Sequence, residues 1–244
     1  MGTAERHFVL GNHYRDEGQY DEAIAEYLSA IAANPGFAEA HNNLGIMYKN
    51  KGLYEKAIVE YRKAIELNPE LDQAYDNLGA IYLETGFYDE ATKAFERALE
   101  INPDNPKVHN NLGIAYDDNG NYAAAIEEYR KAIQLEPSLA EPHYNLGVIY
   151  GVMGNYEESV NELKRAIELK PQDAWTHYNL ALTYKNKGMI EEAITEHQKA
   201  VSLDPNLMEA HYNLGVIWES RGEKEKAIEA RIKYLEAAVH SRSG

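Results

Sequence analysis

Residues 143–150 read HYNLGVIY and residues 211–218 read HYNLGVIW, so the two octapeptides differ only in their last aromatic residue. A second pair, HNNLGIMY at 41–48 and HNNLGIAY at 109–116, is separated by the same offset. Near-identical segments at a fixed offset indicate an internal repeat, and the length of that repeat decides which architecture follows.

Prolines and glycines show that the repeat period is 34 residues, half of the 68-residue offset between the paired octapeptides. Six of the eight prolines recur at one constant spacing: Pro35, Pro69, Pro103, Pro137, Pro171 and Pro205. Seven glycines keep the same spacing: Gly18, Gly52, Gly86, Gly120, Gly154, Gly188 and Gly222. Seven periods divide the chain into repeats 4–37, 38–71, 72–105, 106–139, 140–173, 174–207 and 208–241. We expect the repeats to form one continuous domain over residues 1–244.

Each repeat predicts two helices joined by a tight turn. In the fifth repeat, Leu146 and Tyr150 follow His143 at the spacing of one helix face. Gly154 suits the end of that first helix, because glycine tolerates the left-handed conformation of a C-cap. Pro171 ends the second helix, because it excludes its predecessor from the α region. Neither helix can bury its apolar face alone, so successive repeats must stack on each other.

The repeats resemble tetratricopeptide repeats. The second repeat carries the full pattern of that family: Leu44, Gly45, Tyr48, Gly52, Tyr54, Ala57, Tyr61, Ala64 and Pro69. The resemblance recurs along almost the whole chain and implies an all-α fold, a right-handed α-solenoid superhelix of seven helix-turn-helix repeats. Such scaffolds host many unrelated ligands, so the fold alone does not specify a function.

The seventh repeat departs from the pattern in its second helix. Lys224, Arg231 and Tyr234 replace the usual aromatic, aromatic and alanine, and Val239 replaces the proline. A terminal repeat has no following neighbour and requires a polar outer face. We therefore expect residues 223–239 to form a polar, solvated cap, which also argues against stacking of copies at that end.

Charge and composition restrict the classes of partner. The chain carries 40 acidic and 24 basic residues, a net charge of −16, which disfavours nucleic acids and anionic membrane surfaces and favours a neutral to basic protein partner. It has no cysteine, which excludes disulfides, thiolate metal sites and cysteine nucleophiles. No apolar run is long enough to insert into a membrane, and the N-terminus has no signal-peptide pattern. We expect a soluble, cytoplasmic chain.

Catalytic and metal-binding patterns are missing from the sequence. None of the motifs GxSxG, HExxH, GxxxxGK or GxGxxG occurs, so we predict no enzymatic activity and no cofactor. Stacked helices separate equivalent residues by about 8–10 Å, too far for neighbouring histidines to share one zinc ion. Interhelical packing is therefore the expected role of the histidines at one repeat position: His7, His41, His109, His143, His177 and His211.

Asparagine holds one position in six consecutive repeats: Asn43, Asn77, Asn111, Asn145, Asn179 and Asn213. An amide both donates and accepts, so a row of amides can pair with both groups of an extended peptide backbone. The resemblance implies that this position lines the concave surface, and arrays of O-linked N-acetylglucosamine transferases hold bound peptide with such a row. The alternative is that these asparagines hydrogen-bond within the array.

The residues beside the asparagines vary and are the candidates for specificity. Repeats five to seven pair a tyrosine with an aliphatic residue: Tyr144, Tyr178 and Tyr212 with Val148, Leu182 and Val216. Tyrosines are favoured interface anchors, although packing against the adjacent helix is the alternative. Repeats three and four place carboxylates towards the expected groove: Asp76, Glu84, Asp117 and Asp118. These acidic residues are expected to attract Lys or Arg of a ligand, and a solvated face is their alternative.

The sequence therefore predicts a non-enzymatic protein–protein interaction scaffold that binds a peptide segment of a partner, extended or helical, in its concave groove. Two alternatives stay open: a substrate-recruiting arm of a larger enzyme such as a glycosyltransferase, and a self-assembling structural scaffold. Members of the family that clamp the C-terminal carboxylates of chaperones use cations at positions that here hold Phe8, Gln73 and Asn77. Chaperone-tail binding is therefore disfavoured.

Overall fold

The computed structural model describes residues 1–240, which form fourteen α-helices and no strands. The first helices of the repeats are α1 (Thr3–Asp16), α3 (Ala38–Asn50), α5 (Asp72–Glu84), α7 (Pro106–Asp118), α9 (Ala140–Val152), α11 (Ala174–Asn186) and α13 (Met208–Ser220). The second helices are α2 (Tyr20–Ala33), α4 (Tyr54–Leu67), α6 (Tyr88–Ile101), α8 (Tyr122–Leu135), α10 (Tyr156–Leu169), α12 (Ile190–Leu203) and α14 (Lys224–His240). Within 1–240, no helix has the length and hydropathy to span a membrane. The predicted helical solenoid of seven repeats is confirmed.

The glycine at each turn adopts the left-handed conformation that its place at a helix end predicts. Gly154 has φ +79°, and the six equivalent glycines also have positive φ. The N–H of Gly154 donates to the carbonyl of Gly151 at 3.2 Å, and the N–H of Asn155 donates to the carbonyl of Tyr150 at 2.8 Å. Because a side chain strains this left-handed backbone, glycine is favoured wherever the first helix must stop and turn into the second.

A second glycine lets the two helices of a repeat approach each other closely. A Cβ added to Gly45 would lie 2.5 Å from Cε1 of Tyr61, so the aromatic ring occupies the space of the missing side chain. In the sixth repeat, Ala181 replaces this glycine and the smaller His197 replaces the tyrosine. The larger residue at one position is thus matched by a smaller residue at the other, as dense packing requires.

The chain divides into two compact units, Met1–Leu135 and Glu136–Gly244, the second described as far as residue 240. Each unit is held together by apolar contacts between a second helix and the first helix of the next repeat. In the first unit, Tyr61 packs with Leu78 and Ile81, and in the second unit Ile194 packs in a cluster with Leu214. One continuous domain over 1–244 stays a prediction.

The predicted polar cap needs a correction. Helix α14 has 17 residues where α12 has 14, because Val239 stands where other repeats have proline. Its inner face buries three small residues, Ala227, Ala230 and Ala237. Its outer face is not polar throughout, since it carries four exposed apolar side chains: Ile228 (59% exposed), Ile232 (49%), Leu235 (60%) and Val239 (64%). A count of charged residues does not reveal this stripe, because the stripe depends on the helical spacing of its apolar residues.

Candidate peptide-binding surface

The asparagine row links successive first helices by hydrogen bonds. Asn43 Nδ2 donates to Asn12 Oδ1 at 2.9 Å, and Asn77 Nδ2 donates to Asn42 Oδ1 at 3.0 Å. In each pair the acceptor belongs to the preceding repeat, but it is not that repeat's residue in the asparagine row. The amide donors in this part of the first unit are therefore used between repeats, which is the alternative that the sequence left open.

The same link in the fourth repeat involves a carboxylate. Asn111 Nδ2 donates to Asp76 Oδ1 at 3.3 Å. Burial raises the pKa of Asp76, and the hydrogen bond from Asn111 and the charge of Lys49 oppose that rise without cancelling it. Asp76 is thus a partly buried acid that is tied into the array, less available to a ligand than the sequence suggested.

The remaining predicted carboxylates differ in how far they are neutralised. Glu84 Oε1 pairs with Lys49 Nζ at 2.6 Å, so one of them already has a cation. Burial raises the pKa of Asp117, and the neighbouring Asp118 raises it further; burial also raises the pKa of Asp118. Neither Asp117 nor Asp118 forms an ion pair with any residue in 1–240. Of the four predicted carboxylates, these two are the ones without a cationic partner in the described chain.

In the second unit the row continues with a tyrosine as acceptor. Asn179 Nδ2 donates to the hydroxyl of Tyr144 at 3.0 Å and to the backbone carbonyl of Trp175 at 3.0 Å. Burial raises the pKa of Tyr144, and the charge of Asp173 raises it further. Tyr144 therefore stays neutral at physiological pH and can keep both a donor and an acceptor function at its hydroxyl.

The last asparagines of the row have less access to a ligand. Asn213 is buried; its Nδ2 donates to the carbonyl of Glu209 at 2.9 Å, and its Oδ1 accepts from Lys185 Nζ at 3.1 Å. Asn145 lies half-buried on α9. Both groups of the Asn213 amide are engaged, so the row does not present a uniform set of free amides.

An aromatic cavity lies between the first helices of the fifth and sixth repeats. It has a volume of about 260 Å³, and its walls include Tyr144, Trp175, Lys170, Asp173 and Glu141. Trp175 is 46% exposed, so a large apolar ring is open to solvent at the cavity mouth. An exposed tryptophan at the mouth of a cavity is typical of an interface anchor.

A second cavity of about 450 Å³ follows one repeat further on. Its walls include Tyr178, Met208, Tyr212 and Tyr234. The ring of Tyr178 also meets the ring of Trp175 edge-on, with centroids 5.6 Å apart, so the aromatic surface is continuous from one cavity to the next. Tyr212 is 58% exposed. The structure thus brings the three predicted tyrosines to cavity walls.

The predicted aliphatic residues lie beside these cavities without lining them. Val148 on α9 and Leu182 on α11 are half-buried, and Val216 on α13 is 36% exposed. Neither cavity has Val148 or Leu182 in its wall. Their contribution to the surface is therefore smaller than the tyrosine–aliphatic pairing suggested.

Sequence reasoning missed Trp175. The equivalent position in the other six repeats is polar, and it is charged in all but one of them: Glu5, Glu39, Gln73, Lys107, Glu141 and Glu209. A single tryptophan in that series is the signal that could have found it. Because Trp175 occurs once, no recurring pattern indicates it.

Five of the six histidines in the series pair the two helices of their repeat through a glutamate, and His211 contacts the carbonyl of Pro205 instead. The Nδ1 atom of His109 lies 2.6 Å from Glu128 Oε2, and the same 2.6 Å contact joins His143 to Glu162. Burial raises the pKa of Glu128, but hydrogen bonds from His109 and Lys131 outweigh burial and leave that pKa lowered. The histidines therefore hold helix pairs together, in line with the interhelical role expected for them.

These helix pairs, with their exposed aromatic and acidic side chains, define a helical-repeat scaffold for protein interactions. The family described as "TPR repeat" matches residues 11–52, 81–120, 118–154, 152–188 and 186–222, and "Tetratricopeptide repeat" matches residues 38–71. The chain belongs to the tetratricopeptide repeat family. No curated protein sequence matches it. Proteins of this fold act generally as interaction modules.

Solved structures share the fold. YrrB, described as a TPR protein with an unusual peptide-binding site, is 26% identical, with 77% of this chain and 96% of that chain covered and a TM-score of 0.64. MamA is 28% identical, with 68% and 98% covered and a TM-score of 0.63. A tetratricopeptide repeat protein from Parabacteroides merdae ATCC 43184 is 20% identical, with 96% and 93% covered and a TM-score of 0.74, a likeness in fold alone.

Proposed function

We propose that this chain is a non-enzymatic adaptor whose second unit binds an extended peptide segment of a partner protein. The observation that carries the proposal is the pair of aromatic cavities one repeat apart, joined by the contact of Trp175 with Tyr178. Cavities in register with a repeat suit a ligand that places successive side chains along the array. The similarity to YrrB, a protein described by its peptide-binding site, supports this choice.

The cavities define the chemistry of the ligand. Rings of Tyr144, Trp175 and Tyr178 provide apolar walls with hydroxyl groups at two of the three positions, so an aliphatic or aromatic side chain fits each cavity. The charged groups at the first cavity are two carboxylates, Glu141 and Asp173, and one ammonium group, Lys170. Their net negative charge favours a neutral or basic segment over an acidic one.

The asparagines have a secondary role in this proposal. Because Asn77, Asn111 and Asn179 each donate to the preceding repeat, a ligand meets mainly the Oδ1 side of the amides. That atom can accept a hydrogen bond from a peptide N–H. Replacing these residues by alanine would also break the links between repeats, so the aromatic residues give the cleaner test.

The test uses a phage-displayed library of random peptides selected on the immobilised chain. Selected peptides are then titrated against Trp218→Phe, which leaves Trp175 as the one tryptophan of the chain. We expect the emission of Trp175 to shift on binding, because the peptide covers its ring. Trp175→Ala should weaken binding about thirtyfold, the loss typical of a buried aromatic anchor.

The matched control is Phe87→Ala, which removes a ring that is 56% exposed on the turn of the third repeat. It should leave peptide affinity unchanged. Equal affinities for the original chain and Trp175→Ala would reject the proposed site. Selected peptides that bind without any shift in the emission of Trp175 would reject it as well.

A further inference from the structure

The outer face of α14 carries an apolar stripe that remains exposed in the described chain. Its four members form what we call the α14 seam: Ile228, Ile232, Leu235 and Val239. They are between 49% and 64% exposed. On the second helix of the second repeat, by contrast, Ile58 and Ile65 are half-buried against Leu78 and Ile81 of the following repeat. The seam is therefore an apolar face of the kind that other repeats bury.

The spacing of the seam is that of a coiled coil. Its residues are separated by four, three and four positions, which places Ile232 and Val239 at the a positions and Ile228 and Leu235 at the d positions of a heptad. β-branched residues at a with leucine at d favour two parallel strands. Half of the d positions hold leucine and both a positions hold β-branched residues. A helix of the same kind is thus the partner that this surface fits.

The charged residues beside the α14 seam indicate which helix the partner is and how that helix is oriented. Lys224 and Arg231 lie on one edge, at g positions, and Glu229 and Glu236 lie on the other edge, at e positions. In a parallel pair of identical helices, g residues meet the e residues five positions later in the other copy. Lys224 would meet Glu229 and Arg231 would meet Glu236, twice each by symmetry. An antiparallel pair would place basic edges together and acidic edges together.

We propose that two copies of this chain associate through α14 as a parallel, two-fold symmetric helix pair. A two-fold interface uses the same patch on both copies, as the self-complementary charge pattern requires. Arg231 already pairs with Glu219 at 2.5 Å and Glu236 with Lys233 at 3.1 Å within the chain, but all four side chains are more than half exposed. Exposed pairs of this kind contribute little and can be exchanged for contacts across the interface.

A head-to-tail arrangement with α1 of a second copy fits less well. That end also exposes apolar side chains, Val9 at 52% and Leu10 at 39%. Between the first two repeats, however, Lys51 pairs with Asp21. A second copy placed as the next repeat would set Glu17 at the position of Lys51 and Glu225 at the position of Asp21. Like charges would then meet where the first two repeats pair opposite charges.

Sedimentation equilibrium of the 244-residue chain, from micromolar to millimolar concentration, tests the proposal. We expect a monomer–dimer equilibrium. Ile232→Lys combined with Leu235→Lys should weaken it about a hundredfold or more, because two buried apolar contacts per copy become charged. These side chains are exposed in the monomer, so folding is unaffected and circular dichroism should be unchanged. Val59→Lys, at an exposed position (62%) of α4, is the matched control and should dimerise normally.

Cysteine cross-linking tests the geometry in a chain that has no cysteine of its own. Residues at d face their own counterparts in a parallel pair, so Leu235→Cys should form an intermolecular disulfide under mild oxidation. A monomer at every concentration overturns the proposal. So does a dimer that Leu10→Lys abolishes and Leu235→Cys fails to cross-link, because that result assigns the contact to a head-to-tail arrangement.

Discussion

Asn111 in the first unit donates to the carboxylate of Asp76 at 3.3 Å, and Asn179 in the second unit donates to the hydroxyl of Tyr144 at 3.0 Å. The two pairs occupy equivalent positions, one between the third and fourth repeats and the other between the fifth and sixth. The asparagine donates a hydrogen bond to the preceding repeat in both units, whereas the acceptor changes from a carboxylate to a phenol hydroxyl. Recurring residues therefore build the array, and the residues that vary beside them decide what each part of it offers to a ligand.

That difference gives the two units separate chemistry. The first unit leaves the half-buried Asp117 and the exposed Asp118 without an ion pair in the described chain, and desolvation raises the pKa of both carboxyl groups. The second unit exposes Trp175 and Tyr212 beside cavities. Each unit, taken by itself, therefore exposes a different chemistry: carboxylates in the first and aromatic rings in the second.

The largest expected effect is a loss of stability when the helix packing that recurs in the repeats is disrupted. Tyr61 is fully buried, and its ring fills the space beside Gly45. Tyr61→Ala should cost about 3–5 kcal/mol of unfolding free energy, as large-to-small changes of aromatic core residues do. Urea unfolding measures the loss. Hydrogen exchange should show it in the repeats around α4, because each repeat contacts only its neighbours.

The control for that change is Tyr61→Phe. The hydroxyl of Tyr61 is buried without a hydrogen-bond partner, and Phe95 holds the equivalent position in the third repeat. Removing an unpaired buried hydroxyl should leave stability equal or raise it by up to about 1 kcal/mol. A loss as large as that of Tyr61→Ala would show that the hydroxyl, and not ring packing, supports the frame.

A smaller effect concerns the histidine pairs of the second unit. His143 has Glu162 at 2.6 Å, whereas Ala230 stands where His211 would need its glutamate. Glu162→Ala should cost about 1–2 kcal/mol, since it removes a partly buried charge-assisted hydrogen bond. Ala230→Glu should add a contact of the same kind and raise the melting temperature.

Thermal unfolding followed by circular dichroism compares the two variants with the original chain. Opposite signs are the expected result, with the gain at Ala230 smaller than the loss at Glu162 because the new side chain must be ordered. A loss in both variants would mean that the histidine of the seventh repeat is satisfied without a carboxylate.

The smallest effect concerns the acidic surface of the first unit. Burial raises the pKa of both Asp117 and Asp118, so folding disfavours their charged forms. A raised carboxyl pKa lowers stability at neutral pH, and this penalty disappears as pH falls below the unfolded value. Asp117→Asn with Asp118→Asn should therefore gain about 0.5 kcal/mol at pH 7. The gain should shrink towards pH 4, and a gain that is constant with pH would contradict this assignment.

The array was predictable from sequence because its defining residues recur. Gly154 and Pro171 each stand for a series at constant spacing, and each has a backbone role that few other residues can fill. Residues that occur once carry no such signal. Trp175 occurs once at its repeat position, so no pattern indicated it. Its exposure and the cavity beside it are visible only in the structure.

The asparagine row could not be assigned from sequence. An amide that binds peptide and an amide that links repeats are the same residue at the same spacing. The distance between neighbouring first helices shows that the linking role is used, because it brings Asn77 Nδ2 to 3.0 Å from Asn42 Oδ1. Peptide binding by the row stays a prediction. The α14 seam was in principle visible in the spacing of Ile228, Ile232 and Leu235, but a count of charges in the last helix concealed it.

We propose that the residues that vary on this constant frame determine binding. Asp76→Tyr combined with Lys107→Trp copies Tyr144 and Trp175 into the first unit, where Asn111 already stands in the place of Asn179. Isothermal titration of a selected peptide measures the outcome directly. We expect the number of peptides bound per chain to rise from one to about two. A number that stays at one, in a variant that remains folded, would contradict the claim.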